Sequence, residues 1–101
     1  MLTEGDAFLL GRVVVDEAEL LTIAVPPDLR GRGAAKRLVS VFIDQSLQRG
    51  AVSAFLEVAE DNAPARRVYT QAGFVESGGR RGYYRSPEGR YIDAILMTRA
   101  L

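Results

Sequence analysis

The chain has 101 residues, 48% hydrophobic and 26% charged, with a formal net charge of zero. This is the make-up of one soluble globular domain over residues 1–101, with no charge imbalance to suggest a nucleic-acid or membrane partner. Cysteine and histidine are both absent. Their absence excludes disulfides, a thiol nucleophile, a His-dependent triad and thiolate or imidazole metal sites, so no metal is expected. Acid–base chemistry must use carboxylates, Tyr, Lys or water. No apolar run approaches membrane-spanning length and no signal peptide is evident, which makes the cytoplasm the expected location.

In chain order, Met1 to Asp6 is largely polar and expected to fray. Ala7 to Val15 is an apolar run broken only by Gly11 and Arg12. Asp16-Glu17 reads as a turn and Glu19 to Val25 as a second strand, giving an antiparallel hairpin. Val13-Val14-Val15 is too apolar for a wet face, so the sheet is expected to be covered on both sides. Pro26 and Pro27 cannot donate to a ladder and stop the second strand.

Next comes Arg30-Gly31-Arg32-Gly33-Ala34-Ala35. Small residues let an anion approach the backbone here, and the first N–H groups of the helix that follows have no partner within it. The helix dipole adds partial positive charge, and Arg30, Arg32, Lys36 and Arg37 add full charges. The combination fits a phosphate cradle; the plainer alternative is a tight strand-to-helix connection with its arginines in solvent. Apolar residues at Ala35, Leu38, Val39, Phe42, Ile43 and Leu47 then predict a helix from about Gly33 to Arg49, closed by Gly50.

Ala51 to Val58 reads as a strand, parallel to the one before the helix because a helical crossover joins them. Asn62 is a good N-cap and Pro64 suits a first helical turn. Ala65, Val68, Tyr69 and Ala72 share one face of this second helix; Gly73 ends it and Phe74 packs back. Phe74 to Glu76 starts a strand, Ser77 to Gly82 is polar and glycine-rich, and Tyr83 to Arg85 is extended again. Ser86-Pro87-Glu88-Gly89 is a turn signal, and Tyr91 to Thr98 is the last strand. The predicted class is α/β: a mixed sheet of order β-β-α-β-α-β-β.

Several of these segments resemble a known family. Arg30-x-x-Gly33-x-Ala35 is similar to the Q/R-x-x-G-x-G/A signature of the GNAT superfamily of acetyl-CoA-dependent N-acetyltransferases. Leu56 with Asn62 and Ala65, and then Val68-Tyr69-x-x-Ala72-Gly73-Phe74, resemble that family's later segments in order and spacing. Gly79 to Arg85 and Asp93 to Met97 resemble its RimI-type branch, the ribosomal-protein-alanine N-acetyltransferases. The resemblance runs from about Ala7 to Thr98. It implies that the amides of Gly31 to Ala35, with Arg30, hold the pyrophosphate of coenzyme A. It also implies that the backbone of Ile23, Ala24 and Val25 pairs with the pantetheine arm, and that Asn62 hydrogen-bonds near the acetyl group.

Catalytic roles follow from the same resemblance: Glu57 as base for the acceptor amine and Tyr69 as acid for the departing thiolate. The residues alone allow other roles. Glu57 could simply face solvent, and Tyr69 could be a core aromatic whose hydroxyl bonds the backbone. Tyr83 and Tyr84, with Arg80 and Arg81, fit either a peptide-binding wall or a solvated hairpin. Arg66 and Arg67 read as helix-surface charges, either of which could meet the coenzyme's phosphates.

The expected activity is direct acetyl transfer to a primary amine, a protein N-terminal alanine first and a small amine second; a non-catalytic CoA-binding module is the alternative. A nucleotide-phosphate binder is disfavoured because the G-x-x-x-x-G-K-[ST] lysine is missing. Against the family pattern, the chain starts almost at the hairpin, without the usual preceding strand and helices. An N-terminally shortened domain of this kind should expose Phe8 and Val13 to Val15 and cover them with a second copy as a homodimer.

Overall fold

The computed structural model describes residues 1–101. Its elements are β1 (Leu2–Glu4), β2 (Ala7–Val14), β3 (Glu17–Ala24), a 3₁₀ turn (Pro27–Leu29), α1 (Ala34–Gln48), β4 (Ser53–Ala59), α2 (Ala63–Gln71), β5 (Val75–Arg85) and β6 (Tyr91–Ala100). They build a 6-stranded sheet of order β1-β2-β3-β4-β6-β5. Only β3 and β4, joined through α1, run parallel; every other neighbouring pair is antiparallel. The expected mixed α/β order is found with one strand more, since Leu2 to Glu4 pairs with Leu9 to Ala7 and is not frayed. Its polar residues misled because a short edge strand needs only backbone partners on one side.

Both helices lie on one face. Ala7 and Leu9 of β2, Ala18 and Leu20 of β3, and Ala54, Leu56 and Val58 of β4 alternate inward, as the period of a strand requires. They meet Leu38, Val39, Phe42 and Ile43 of α1 and Tyr69 of α2 in one cluster. On α1 the position facing the core is Ser46, not Leu47; the Ser46 hydroxyl donates to the Phe42 carbonyl at 2.7 Å. Each helix closes as its glycine predicts. The Ala51 amide reaches the Ser46 carbonyl past Gly50, and the Phe74 amide reaches the Tyr69 carbonyl past Gly73, both glycines having positive φ.

No element of this chain covers the other face of the sheet, so the cover expected on both sides does not come from within the chain. Val14 is 58% exposed and lies beside the turn, while Val15 is 89% exposed and forms it. The turn therefore falls at Val15-Asp16, one residue earlier than expected, because Glu17 pairs with both Val14 and Ser53. A second correction concerns Ser77 to Gly82. This stretch is not a loop: β5 runs unbroken through it, with register shifts at Glu76/Gly78 and Arg80/Tyr84. The glycines make this possible, since a Cβ at Gly79 would sit 2.5 Å from the Ala94 carbonyl oxygen.

One irregularity positions the site. In the β2–β3 ladder, Thr22 pairs with Leu10 and Leu20 with Gly11, leaving Leu21 as an extra residue on β3. Such a bulge bends its strand. The bend coincides with the end of parallel pairing: the last β3–β4 pair is Leu20↔Leu56, yet β3 continues to Ala24 and β4 to Ala59. The two strands splay, and a wedge opens between their free edges.

Gly11 makes the bulge compatible with the core, because a Cβ there would lie 2.5 Å from the buried Phe42 ring. Gly11→Ala is expected to lower stability by about 1–3 kcal/mol through overpacking, read as a drop in the urea midpoint at unchanged slope.

Candidate active site

The turn between β3 and α1 opens beside the wedge. The amides of Leu29 and Arg30 bond the carbonyls of Pro26 and Pro27, and the next amide with a protein acceptor is that of Arg37, on the Gly33 carbonyl. The amides from Gly31 through Lys36 donate to nothing in the protein. Gly31 (φ 78) and Gly33 (φ 79) take the left-handed conformation that curls the backbone into this row, and no side chain caps the helix. Unpartnered amides at a helix start form an anion site, so the residues present fit a coenzyme's diphosphate.

Arginines shape the turn from outside. The Arg37 guanidinium grips Glu4 of β1 through two 2.6 Å bonds and donates to the Arg32 carbonyl at 2.8 Å. A trans peptide points its N–H away from its C=O, so this bond turns the Gly33 amide outward. The pairing holds the Glu4 carboxyl below its usual pKa and raises that of Arg37, in both cases chiefly through their hydrogen bonds. Arg30 Nε bonds the Val25 carbonyl at 3.0 Å. The sequence counted Arg37 among the charges around the turn, whereas in the structure its guanidinium is taken up by Glu4 and the Arg32 carbonyl. Arg32 and Lys36 remain exposed and unpaired at its front.

Along the wedge, Ile23 and Ala24 close β3, and the Val25 N–H has no protein acceptor. At the foot of α2, Asn62 caps the helix as expected: its Oδ1 accepts from the Ala65 amide at 3.2 Å, which leaves the Asn62 NH₂ group free. Arg66 is turned away from the cradle, bonding the Glu60 carbonyl at 2.9 Å and lying 3.6 Å from Glu76. Arg67 is exposed and has no ion-pair partner.

Tyr69 combines the two roles its sequence context left open. Its ring is in the core, 5% exposed and edge-on to Phe74 at 6.1 Å between centroids. Its hydroxyl, however, bonds no backbone group and is not sealed from solvent. Burial, and then the nearby Tyr84, push the Tyr69 pKa up from 10 to about 12. The phenol therefore carries its proton throughout the physiological range.

Glu57 points to the face opposite the helices, in register with Leu96 of β6. It lines a shallow depression of about 520 Å³ with Glu17, Phe55, Arg80 and Thr98. Arg80 Nη2 lies 3.0 Å from Glu57 Oε1, and the same guanidinium sits 4.8 Å over the Tyr83 ring. Tyr83 and Tyr84 meet edge-to-face at 5.1 Å although they are adjacent on β5. The bulge at Arg80/Tyr84 rotates them together, fixed by Asp93 Oδ1 accepting from the Gly82 amide at 2.8 Å.

The Tyr84 pKa is raised first by burial and then by Glu57 and Tyr83. Tyr84 is thus the electrostatic neighbour of both Glu57 and Tyr69, which lie on separate elements. Sequence reasoning did not foresee that Arg80 pairs with Glu57. Register could not reveal it, because the two residues are two strands apart, across a bulge.

Splayed parallel strands, an anion turn and a phenol with a free hydroxyl define an acyltransferase scaffold, and the chain belongs to the acetyltransferase (GNAT) family, whose model matches residues 7–74. Among curated relatives, the [ribosomal protein bS18]-alanine N-acetyltransferase of Salmonella typhimurium strain LT2 is 44% identical over 92 residues, covering 91% of this chain and 62% of that protein. The crystal structure of the ribosomal-protein-S18-alanine N-acetyltransferase from Escherichia coli superposes with a TM-score of 0.88 at 39% identity, over 97% of this chain and 64% of that one. YncA of Salmonella typhimurium, solved with its cofactor acetyl-CoA, shares the fold at a TM-score of 0.78 and 22% identity, over 89% of this chain and 53% of that one. The chain thus spans just under two thirds of the length of the first two.

Proposed function

We propose that this chain transfers an acetyl group from acetyl-CoA to a primary amine, with a protein N-terminal alanine as acceptor. The observation that carries the reading is the row of unpartnered amides from Gly31 to Lys36, opening beside the β3–β4 wedge. Its support for the acceptor is the likeness to alanine N-acetyltransferases.

Gly31, Arg32, Gly33, Ala34 and Ala35 bind the diphosphate through their N–H groups, with Arg30 beside them. Ile23, Ala24 and Val25 offer a strand edge to the pantetheine amides, and the free Val25 N–H suits the thioester carbonyl. Asn62 offers its NH₂ group to the same arm. Acetyl-CoA supplies the acetyl group as a thioester. Glu57 takes a proton from the attacking amine, directly or through a water, and Tyr69 Oη gives its proton to the leaving sulfur. Without a cysteine in the chain, the acetyl group passes straight to the amine. Tyr83 and Tyr84 form the wall against which the acceptor lies.

The finer readings belong here as well. A cytoplasmic location is part of the same reading, supported by the ribosomal-protein acceptor named for the relatives; no helix is long and apolar enough to cross a membrane. The bare sheet face, with Leu10, Val14 and Leu21 exposed, suits a second copy, and sedimentation giving a clean monomer at micromolar concentration would count against a dimer.

The test is thiol release from acetyl-CoA with an alanine-starting peptide, alongside a thermal shift with acetyl-CoA alone. Both are expected. A shift without release means a CoA-binding module, and neither signal removes the reading altogether.

A further inference from the structure

Arg80 is the one cation at the base, and the proposed reaction gives it no role. We propose that Arg80 is a specificity residue that occupies the cation position at Glu57, so that the site rejects ammonium ions and selects amines that are neutral at working pH. The inference rests on the acetyltransferase reading above and adds which amines that site takes.

The geometry is direct. The Glu57 carboxylate would otherwise attract any ammonium entering the depression, and its Oε1 already holds Arg80 Nη2 at 3.0 Å. Arg80 is not a loose surface arginine. Its guanidinium is stacked 4.8 Å over Tyr83, its backbone is in register with Ala94, and Gly79 before it lies so close to Ala94 that no side chain fits there. The other charged or titratable groups at this face are Glu17, which lines the depression, the phenols of Tyr83 and Tyr84, and Arg12 with Glu19 in the adjoining hollow. Arg12 is already held by Glu19 at 2.7 Å, so none of these supplies a second positive charge to Glu57. A guanidinium is a permanent positive charge.

The chemical consequence is a choice between amines. An α-amino group has a pKa of about 7.8 and a lysine side chain about 10.4. Near pH 7.5 roughly a third of the former is neutral, but only about one part in a thousand of the latter. A site that presents a bare carboxylate binds both as cations, and protonated lysine then competes for it. With Arg80 on the carboxylate, the cation gains nothing on entering, and the neutral α-amine, which is the nucleophile, is favoured.

The experiment measures steady-state acetylation of two peptides by the full chain at pH 7.0 and 8.5. One has a free N-terminal alanine and no lysine; the other has a blocked N-terminus and one lysine. Relative to the unmodified protein, Arg80→Leu is expected to lower KM for the lysine peptide by about 1.5- to fivefold, the range of an exposed ion pair. The α-amine peptide should show the same gain at pH 7.0 and less at 8.5, where it is mostly neutral. Arg80→Lys keeps the charge and should keep the discrimination, which also controls for misfolding. A fall in kcat with KM unmoved, or an unchanged ratio between the two peptides at pH 8.5 in Arg80→Leu, overturns the inference. Failure of the unmodified protein to acetylate either peptide would instead overturn the acetyltransferase reading itself.

Discussion

Tyr69→Phe is expected to lower kcat by about 10²–10⁴-fold, the usual contribution of a positioned general acid, with acetyl-CoA binding and fold retained. The substitution removes one oxygen that bonds nothing in the protein and leaves the ring against Phe74. It therefore separates chemistry from packing. Thiol release measures the first, and a thermal shift with acetyl-CoA measures the second. A variant turning over within a few-fold of the parent would remove Tyr69 from the reaction.

The same residue sets an alkaline signature. Below about pH 10 Tyr69 holds its proton in both the folded and the unfolded chain. Between 10 and about 12 the unfolded chain loses that proton first, because burial has raised the folded value. The unfolded chain then binds fewer protons, so stability falls as pH rises through this window, by roughly 2–3 kcal/mol. Tyr69→Phe should flatten the fall. A residue will remain, because Tyr84 is shifted in the same direction.

The second large effect is expected at the anion turn. Gly33→Ala should raise the KM for acetyl-CoA at least about tenfold, the equivalent of 1.4 kcal/mol, and lower stability by about 1–2 kcal/mol for a side chain in left-handed backbone. Two causes combine. At φ 79 a Cβ is strained, and it would sit 3.0 Å from Arg37 Nη1. Arg37 would have to give by a few tenths of an ångström, which loosens its bond to the Arg32 carbonyl and with it the orientation of the Gly33 amide. The readout is acetyl-CoA titration by thermal shift together with its KM at saturating acceptor. Unchanged values would mean that the amides from Gly31 to Lys36 do not hold the ligand.

Gly33 and Tyr69 also mark the extent of what the chain declares in one dimension. The strand, glycine turn and helix from Glu19 to Gln48 were legible because each rests on local chemistry: β-branched residues, two prolines, glycines at positive φ and a helical period. The Asn62 cap and the Gly73 stop were legible for the same reason. In the β5 region sequence reasoning failed. Glycines that signal a loop instead allow a bulged strand to press against Ala94, which depends on a neighbour fifteen residues from Gly79 in sequence but fixed only by the sheet. Val13 to Val15 misled similarly, because hydrophobicity records a preference for burial and not whether anything is there to bury against.

The sequence by itself determined the order of the elements from Ala7 onward, the anion turn and the residue types available for proton transfer, since these follow from backbone preferences and side-chain chemistry within a few residues. Tertiary structure alone decided that the Leu21 bulge splays β3 from β4, that Arg37 stands behind the turn, that the Tyr69 hydroxyl is free and that Arg80 occupies Glu57. Each of these joins residues from different elements, and the distances between such residues are set by packing and register, which no local pattern encodes.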